Sequence, residues 1–164
     1  MRPFRCAKAL PNGIYRDGVT TLRQLLYLSR ATNEMTESDL RDLLEEARRL
    51  NTVHGITGLL LFADMHFIQC IEGTSEAIAQ LAENIRGDAR NEEFSVLIDH
   101  QVGERSFRQW SMGFKASSVS DLRLEEGFHD LQRLEDLARI ENAKGAIFNI
   151  MQRFYMQNAG FSLG

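Results

Sequence analysis

Three neutral side chains able to trade hydrogen bonds stand in apolar surroundings: Tyr27 in LRQLLYLS, Asn51 after the leucines of DLLEEARRLN, and Gln69 in FIQCIEG. None carries a charge at pH 7, so what they offer is pairing between donors and acceptors. Gln69 is the most demanding of the three. Strand alternation places it on one face with Phe67 and Ile71, opposite His66, Ile68, Cys70 and Glu72. A carboxamide buried there costs on the order of a few kcal/mol unless its amide and carbonyl are paired. Each residue taken singly also has a plain structural role: a tyrosine with its hydroxyl at the rim, an asparagine ending a helix, a glutamine bonded to backbone.

Other chemistry finds little footing. His54, His66, His100 and His129 fall in different elements without paired-ligand spacing, which argues against a metal centre. No nucleophile elbow, Walker loop or dinucleotide fingerprint occurs, and Gly55-Ile56-Thr57-Gly58 reads as a helix-to-strand turn. Cys70 lies on the face away from Gln69, where a packing thiol is expected, and Glu72 reads as closing its strand. With a net charge of −4 and no long block of one sign, the chain lacks a field suited to nucleic acid or anionic lipid. Cys6 and Cys70 are too few and too far apart for a disulfide framework, and no apolar run is long enough for a signal peptide or membrane span. A cytoplasmic location is the expectation.

The elements that must position the three polar groups follow from periodicity. LRQLLYLS reads as a strand with Leu25 and Tyr27 on one face and Leu22, Leu26 and Leu28 on the other. Thr36 and Asp39 form a capping signature ahead of Leu40, Leu43, Leu44, Ala47 and Leu50 at helical spacing, ending near Asn51. Ile56 to Phe62 and His66 to Glu72 make a β-hairpin about Ala63-Asp64-Met65. Thr74 then opens a second helix with Ile78, Leu81, Ala82 and Ile85 on its apolar stripe, broken near Gly87. Phe94 to His100 and Phe107 to Phe114 read as fourth and fifth strands. This order predicts an α+β fold, a ferredoxin-like sandwich with a five-stranded mixed sheet and two helices on one face. In that layout the first and third strands are neighbours, so Tyr27 and Gln69 can meet between the helices.

Residues 1–21 hold both prolines and read as an N-terminal extension, and residues 116–164 as a C-terminal helical extension around the domain at 22–115. Helical patterns run over Phe128 to Ala138 and Ala143 to Tyr155. Ile147, Phe148, Met151, Phe154 and Tyr155 form a stripe that must be buried on the free sheet face or in an oligomer interface.

From Leu22 to about Lys115, about 94 of 164 residues, the chain resembles the BLUF family of blue-light sensors, which hold FAD noncovalently. The matching segments come in order: LLYLSRA, AR with a nearby asparagine before GITGLLLF, FIQCIEG, IRGDAR and WSM. The resemblance implies a photoreceptor in which Tyr27 is the light-responsive tyrosine, Gln69 the switching glutamine and Asn51 the flavin-ring asparagine. Trp110 and Met112 take the place of the family's signal-relay pair, and which of them faces the pocket stays open. By the same resemblance, excited flavin draws an electron and a proton from Tyr27, and recombination leaves Gln69 flipped or tautomerised.

Arg90, with Arg48 behind it, is the expected contact to the polar tail of the cofactor, and Ile56 and Leu60 share a strand face suited to packing on the ring. The family commonly carries a histidine after the DxR segment, where this chain has Asn91. Nothing in residues 116–164 is patterned like a cyclase or phosphodiesterase, so the expectation is a receptor without enzymatic activity that signals through protein contacts. A homo-oligomer and an unknown downstream protein are the implied partners. The competing readings are a flavin redox protein without photochemistry and a ligand-free interaction module.

Overall fold

A computed structural model describes residues 21–108, 111–116 and 145–158. The expectations for residues 1–20, for the pattern at Phe128 to Ala138 and for Trp110 lie outside the described residues. The order is β1 (Leu22–Ala31), α1 (Glu37–His54), β2 (Thr57–Ala63), β3 (His66–Gly73), α2 (Ser75–Arg86), β4 (Asn91–Val102), β5 (Gly113–Ala116) and α3 (Ala146–Asn158). β4, β1, β3 and β2 pair antiparallel in that spatial order, and the short β5 joins β2 in parallel at the edge.

The helices start where their caps dictate. Thr36 and Asp39 form a full capping box at α1, and Thr74 accepts from the Ala77 amide at α2. α1 continues one turn past the expected end at Asn51, to His54, because Gly55 is the residue that takes the left-handed conformation, with φ 63°. Asn51 is therefore inside the last turn of α1 and faces the sheet.

The sheet is packed on both faces. On the front, Leu25, Tyr27, Leu60, Phe67 and Ile71 join Leu40 and Leu44 of α1 and Ile78 and Ala82 of α2. On the back, Leu26, Leu59, Leu61, Ile68 and Cys70 join Ile147, Phe148, Met151 and Tyr155 of α3. The C-terminal stripe is thus buried against the free sheet face of its own chain. No helix among the described residues is long and apolar enough to cross a membrane.

Two departures from simple alternation shape the region around Tyr27. β4 runs longer than Phe94 to His100, and its pairing with β1 shifts between Leu26 and Tyr27 and again between Leu28 and Arg30. Glu93, with φ 55°, sits at the second irregularity. As a result Ile98 packs on the back cluster while Phe94, also even-numbered, packs on the front. The second departure is at the fifth strand, which begins at Gly113 and not at Phe107. Phe107 is buried in the back cluster, whereas Met112 is buried in the front one. Ser106 to Arg108 and Ser111 to Met112 run as bends and a turn, so these residues are not part of the strand.

Candidate functional site

β1 and β3 are adjacent, and their register places Tyr27 directly opposite Gln69. Both are buried, at 3% and 5% exposure, on the front face beneath the two helices. The Tyr27 hydroxyl donates to Gln69 Oε1 in a short hydrogen bond. Gln69 Nε2 in turn donates to the sulfur of Met112, at 3.2 Å. A carboxamide that sequence alone places among hydrophobes is thus satisfied at both ends, once by a phenol and once by a thioether. The second partner is a weak acceptor, so a better acceptor brought near Gln69 would compete for that amide.

The tyrosine is held as well as paired. Its ring stacks on Phe94 with centroids 4.6 Å apart, and the Arg86 guanidinium lies 5.0 Å from the Phe94 ring. Burial pushes the phenol pKa well up, so Tyr27 stays protonated and donates. Phe94 was not legible as a site residue, because the strand irregularity that turns it toward Tyr27 leaves no mark in the hydrophobic pattern.

α1 closes the site on the other side. Asn51, 2% exposed, donates from Nδ2 to the Ser111 carbonyl at 2.8 Å. Arg48 donates from Nε to the Met112 carbonyl at 3.2 Å, and burial lowers its pKa to about 10. One face of α1 therefore holds the two peptide carbonyls on either side of Met112. Ile56 and Leu60 are buried in the same front cluster as Tyr27.

Arg90 sits apart from these groups, in the turn after α2. It bonds Asp88 at 2.6 Å and Glu46 of α1 at 2.9 Å, and so bridges the end of α2 to α1. Asn91, at the position where the family commonly has histidine, donates to the Ile85 and Asp88 carbonyls and closes the end of α2. Cys70 is fully buried on the back face, and desolvation raises its thiol pKa far from the reactive range. Among the described residues no cluster of histidine, cysteine and carboxylates is placed to hold a metal ion.

The arrangement fits a flat heteroaromatic ring with neutral donors and acceptors along one edge. The amide groups of Gln69 and Asn51 are buried and neutral, donating to the Met112 sulfur and the Ser111 carbonyl, and groups of this kind can pair with ring acceptors. The comparisons with known proteins agree. The family model for BLUF, sensors of blue-light using FAD, matches residues 22–113. The photoactivated adenylate cyclase subunit beta-like protein FB of Euglena gracilis is 33% identical over 112 residues, which are 68% of this chain and 13% of that protein. The chain thus spans 13% of the length of that curated relative. BlsA in its photo-activated state is 40% identical at a TM-score of 0.55, covering 58% of this chain and 69% of that one. BlrB in its dark state, described as a BLUF protein, is 27% identical at a TM-score of 0.60, covering 80% and 92%. Klebsiella pneumoniae BlrP1 with FMN and cyclic diGMP is 26% identical at a TM-score of 0.67, covering 82% and 34%. The match spans Tyr27, Asn51, Gln69 and Met112 together with the strands and helix that bring them into one site, and the chain belongs to the BLUF family of blue-light sensors.

Proposed function

We propose that this protein is a blue-light photoreceptor that binds FAD noncovalently beneath α1 and α2 and signals through protein contacts, without enzymatic activity of its own. The observation that carries the reading is the buried chain from the Tyr27 hydroxyl through Gln69 to the Met112 sulfur. A bound flavin supplies absorption of blue light and an electron-accepting ring. Asn51 and Gln69 orient that ring, Ile56 and Leu60 pack against it, and Arg90 and Arg48 serve its polar tail. FAD is preferred to FMN on the family's description, since the ring contacts named here are common to both flavins.

Tyr27 is the electron and proton donor, and Gln69 is the group that changes state. The Gln69 carbonyl accepts from the phenol while its amide donates to sulfur. Exchanging those two ends, without moving the backbone, turns the amide to the phenol oxygen, which can accept, and the carbonyl to the thioether, which has no hydrogen to donate. Met112 loses its partner in that exchange, and the change passes to β5 and, with Trp110, to the output. A homo-oligomer with α3 at or near its interface, in the cytoplasm, is the setting in which this signal is read. The sheet is the ferredoxin-like plan with one added strand.

The test is the visible absorption of the purified protein in darkness, under blue light, and through recovery. A small reversible red shift without bleaching supports the reading, whereas bleaching points to flavin reduction and a colourless protein to a ligand-free module. Flavin released by denaturation and separated by chromatography distinguishes FAD from FMN. Gln69→Leu keeps the bulk and removes both hydrogen-bonding ends, so the normal shift is expected to disappear while bound flavin persists. A Gln69→Leu protein with the parent's shift would remove Gln69 from the switch.

A further inference from the structure

On the opposite face from Gln69, three residues along the same strand, Glu72 is fully buried in the sheet centre. Its carboxylate is met from several elements. Oε1 accepts from Gln24 Nε2 of β1 at 2.6 Å and from the Ser106 backbone amide at 2.8 Å. Oε2 accepts from the Phe107 backbone amide at 3.0 Å, with the Thr57 hydroxyl of β2 at 3.4 Å. Arg105, from the same connecting segment, donates to the Thr57 hydroxyl, to the Glu72 carbonyl and to the Gly55 carbonyl at 2.8, 2.9 and 2.6 Å. Two of the carboxylate's partners are therefore backbone amides of the connection between β4 and β5.

That connection joins the two outer strands of the sheet and so has to cross β1, β3 and β2. It leaves Phe107 in the back cluster and delivers Met112 to the front one, where the sulfur meets Gln69. A carboxylate that accepts two successive backbone amides fixes a short stretch of chain in one conformation, the more so here because the Phe107 amide is buried and the Ser106 amide partly so. The fixed point lies five residues before Met112, and the carboxylate that holds it is on the strand that also carries Gln69.

We propose that Glu72 is a positioning residue of the switch: by holding the Ser106 and Phe107 amides it fixes the β4–β5 connection so that Met112 reaches Gln69. This rests on the reading of Gln69 and Met112 as parts of the light-driven relay. Light acts on the front of β3, and Glu72 on its back sets where the relay begins. The two ends of the connection are then held by different elements, Ser106 and Phe107 by Glu72 and the Ser111 and Met112 carbonyls by α1.

The experiment uses the full, flavin-loaded chain with methyl-labelled methionine, followed by NMR in darkness and by absorption through recovery from blue light. In Glu72→Gln, exchange of the Ser106 and Phe107 amides is expected to accelerate about tenfold or more. The Met112 methyl resonance is expected to move, and dark recovery to change by about threefold or more. Glu72→Asp, which keeps the charge on a shorter stem, should fall between the two proteins in all three. Faster amide exchange with the parent's Met112 resonance and recovery would make Glu72 a local anchor only and overturn the proposal. If the parent itself shows no light-induced shift, the photoreceptor reading fails, and the Met112 resonance in darkness alone decides the role of Glu72. Should Glu72→Gln fail to fold, the half-buried Arg105→Gln loosens the same connection from its solvent side and is judged by the same Met112 signal.

Discussion

Tyr27→Phe is expected to purify with flavin bound and a nearly unchanged dark spectrum, and to lose the light-induced shift. The substitution keeps the ring, so its stack on Phe94 at 4.6 Å and its burial in the front cluster persist. What goes is one hydroxyl, the donor to Gln69 Oε1. A positioned proton donor contributes about a hundredfold or more to the step that uses it, so the yield per absorbed photon should fall to a small fraction of the parent's. The Gln69 carbonyl loses its buried partner, which costs about 1–3 kcal/mol and lowers the thermal midpoint by several degrees without unfolding the protein. The checks are the light-minus-dark spectrum and a thermal melt on the same sample. A full-sized shift in the phenylalanine protein would move the donor role away from Tyr27.

Gly58→Ala is expected to be the most damaging single-atom change in the sheet. A Cβ at Gly58 would lie 2.2 Å from the backbone oxygen of Cys70 and 3.3 Å from the Ile71 Cα. The obstacle is the backbone of β3, which is paired on one side with β1 and on the other with β2, so neither strand can yield without breaking ladder bonds. Overpacking of this kind costs about 3 kcal/mol or more, equivalent to a fall of roughly 6–12 °C in the midpoint of a chain this size. Two other glycines calibrate the result. At Gly73 the nearest atoms are the side-chain ends of Ile56 and Ile78, at 3.3 and 3.4 Å, so Gly73→Ala should cost much less. At Gly103 nothing lies within 4 Å, and Gly103→Ala should melt with the parent. Equal midpoints for all three would contradict the close approach of β2 to β3.

The legible part of this protein was the part governed by period and punctuation. Tyr27 and Gln69 could be paired from sequence because strand alternation and the neighbouring of first and third strands are general properties of such a sandwich, and the observed register places them opposite each other. The Thr36 and Thr74 caps and the stripe from Ile147 to Tyr155 were readable for the same reason: each is a local pattern with one stable solution. Phe94 was not readable, since its front-facing position depends on irregular pairing between β4 and β1 that the alternation of NEEFSVL conceals. Met112 was assigned to a strand it precedes, because an apolar run does not say where a chain passes from one face of a sheet to the other. Glu72 read as the end of a strand, and the backbone amides it holds, those of Ser106 and Phe107, lie more than thirty positions away, beyond the reach of any local pattern.

The fifth strand touches the sheet through four positions of parallel pairing, from Leu59 with Gly113 to Phe62 with Ala116. β2 and β3, by contrast, close on a two-residue turn, so their ladder assembles from near neighbours. For β5 the chain must first complete α2 and the whole of β4 before the partners can meet, and loop closure of that length is costly relative to four residues of ladder. The order of assembly follows: the four antiparallel strands form a unit, and β5 docks on it last. What docks last is also released at the lowest free energy, so amide hydrogens at Gly113–Ala116 should exchange before those of β1 and β3. The segment next to Met112 is thus the one whose departure leaves the rest of the sheet intact.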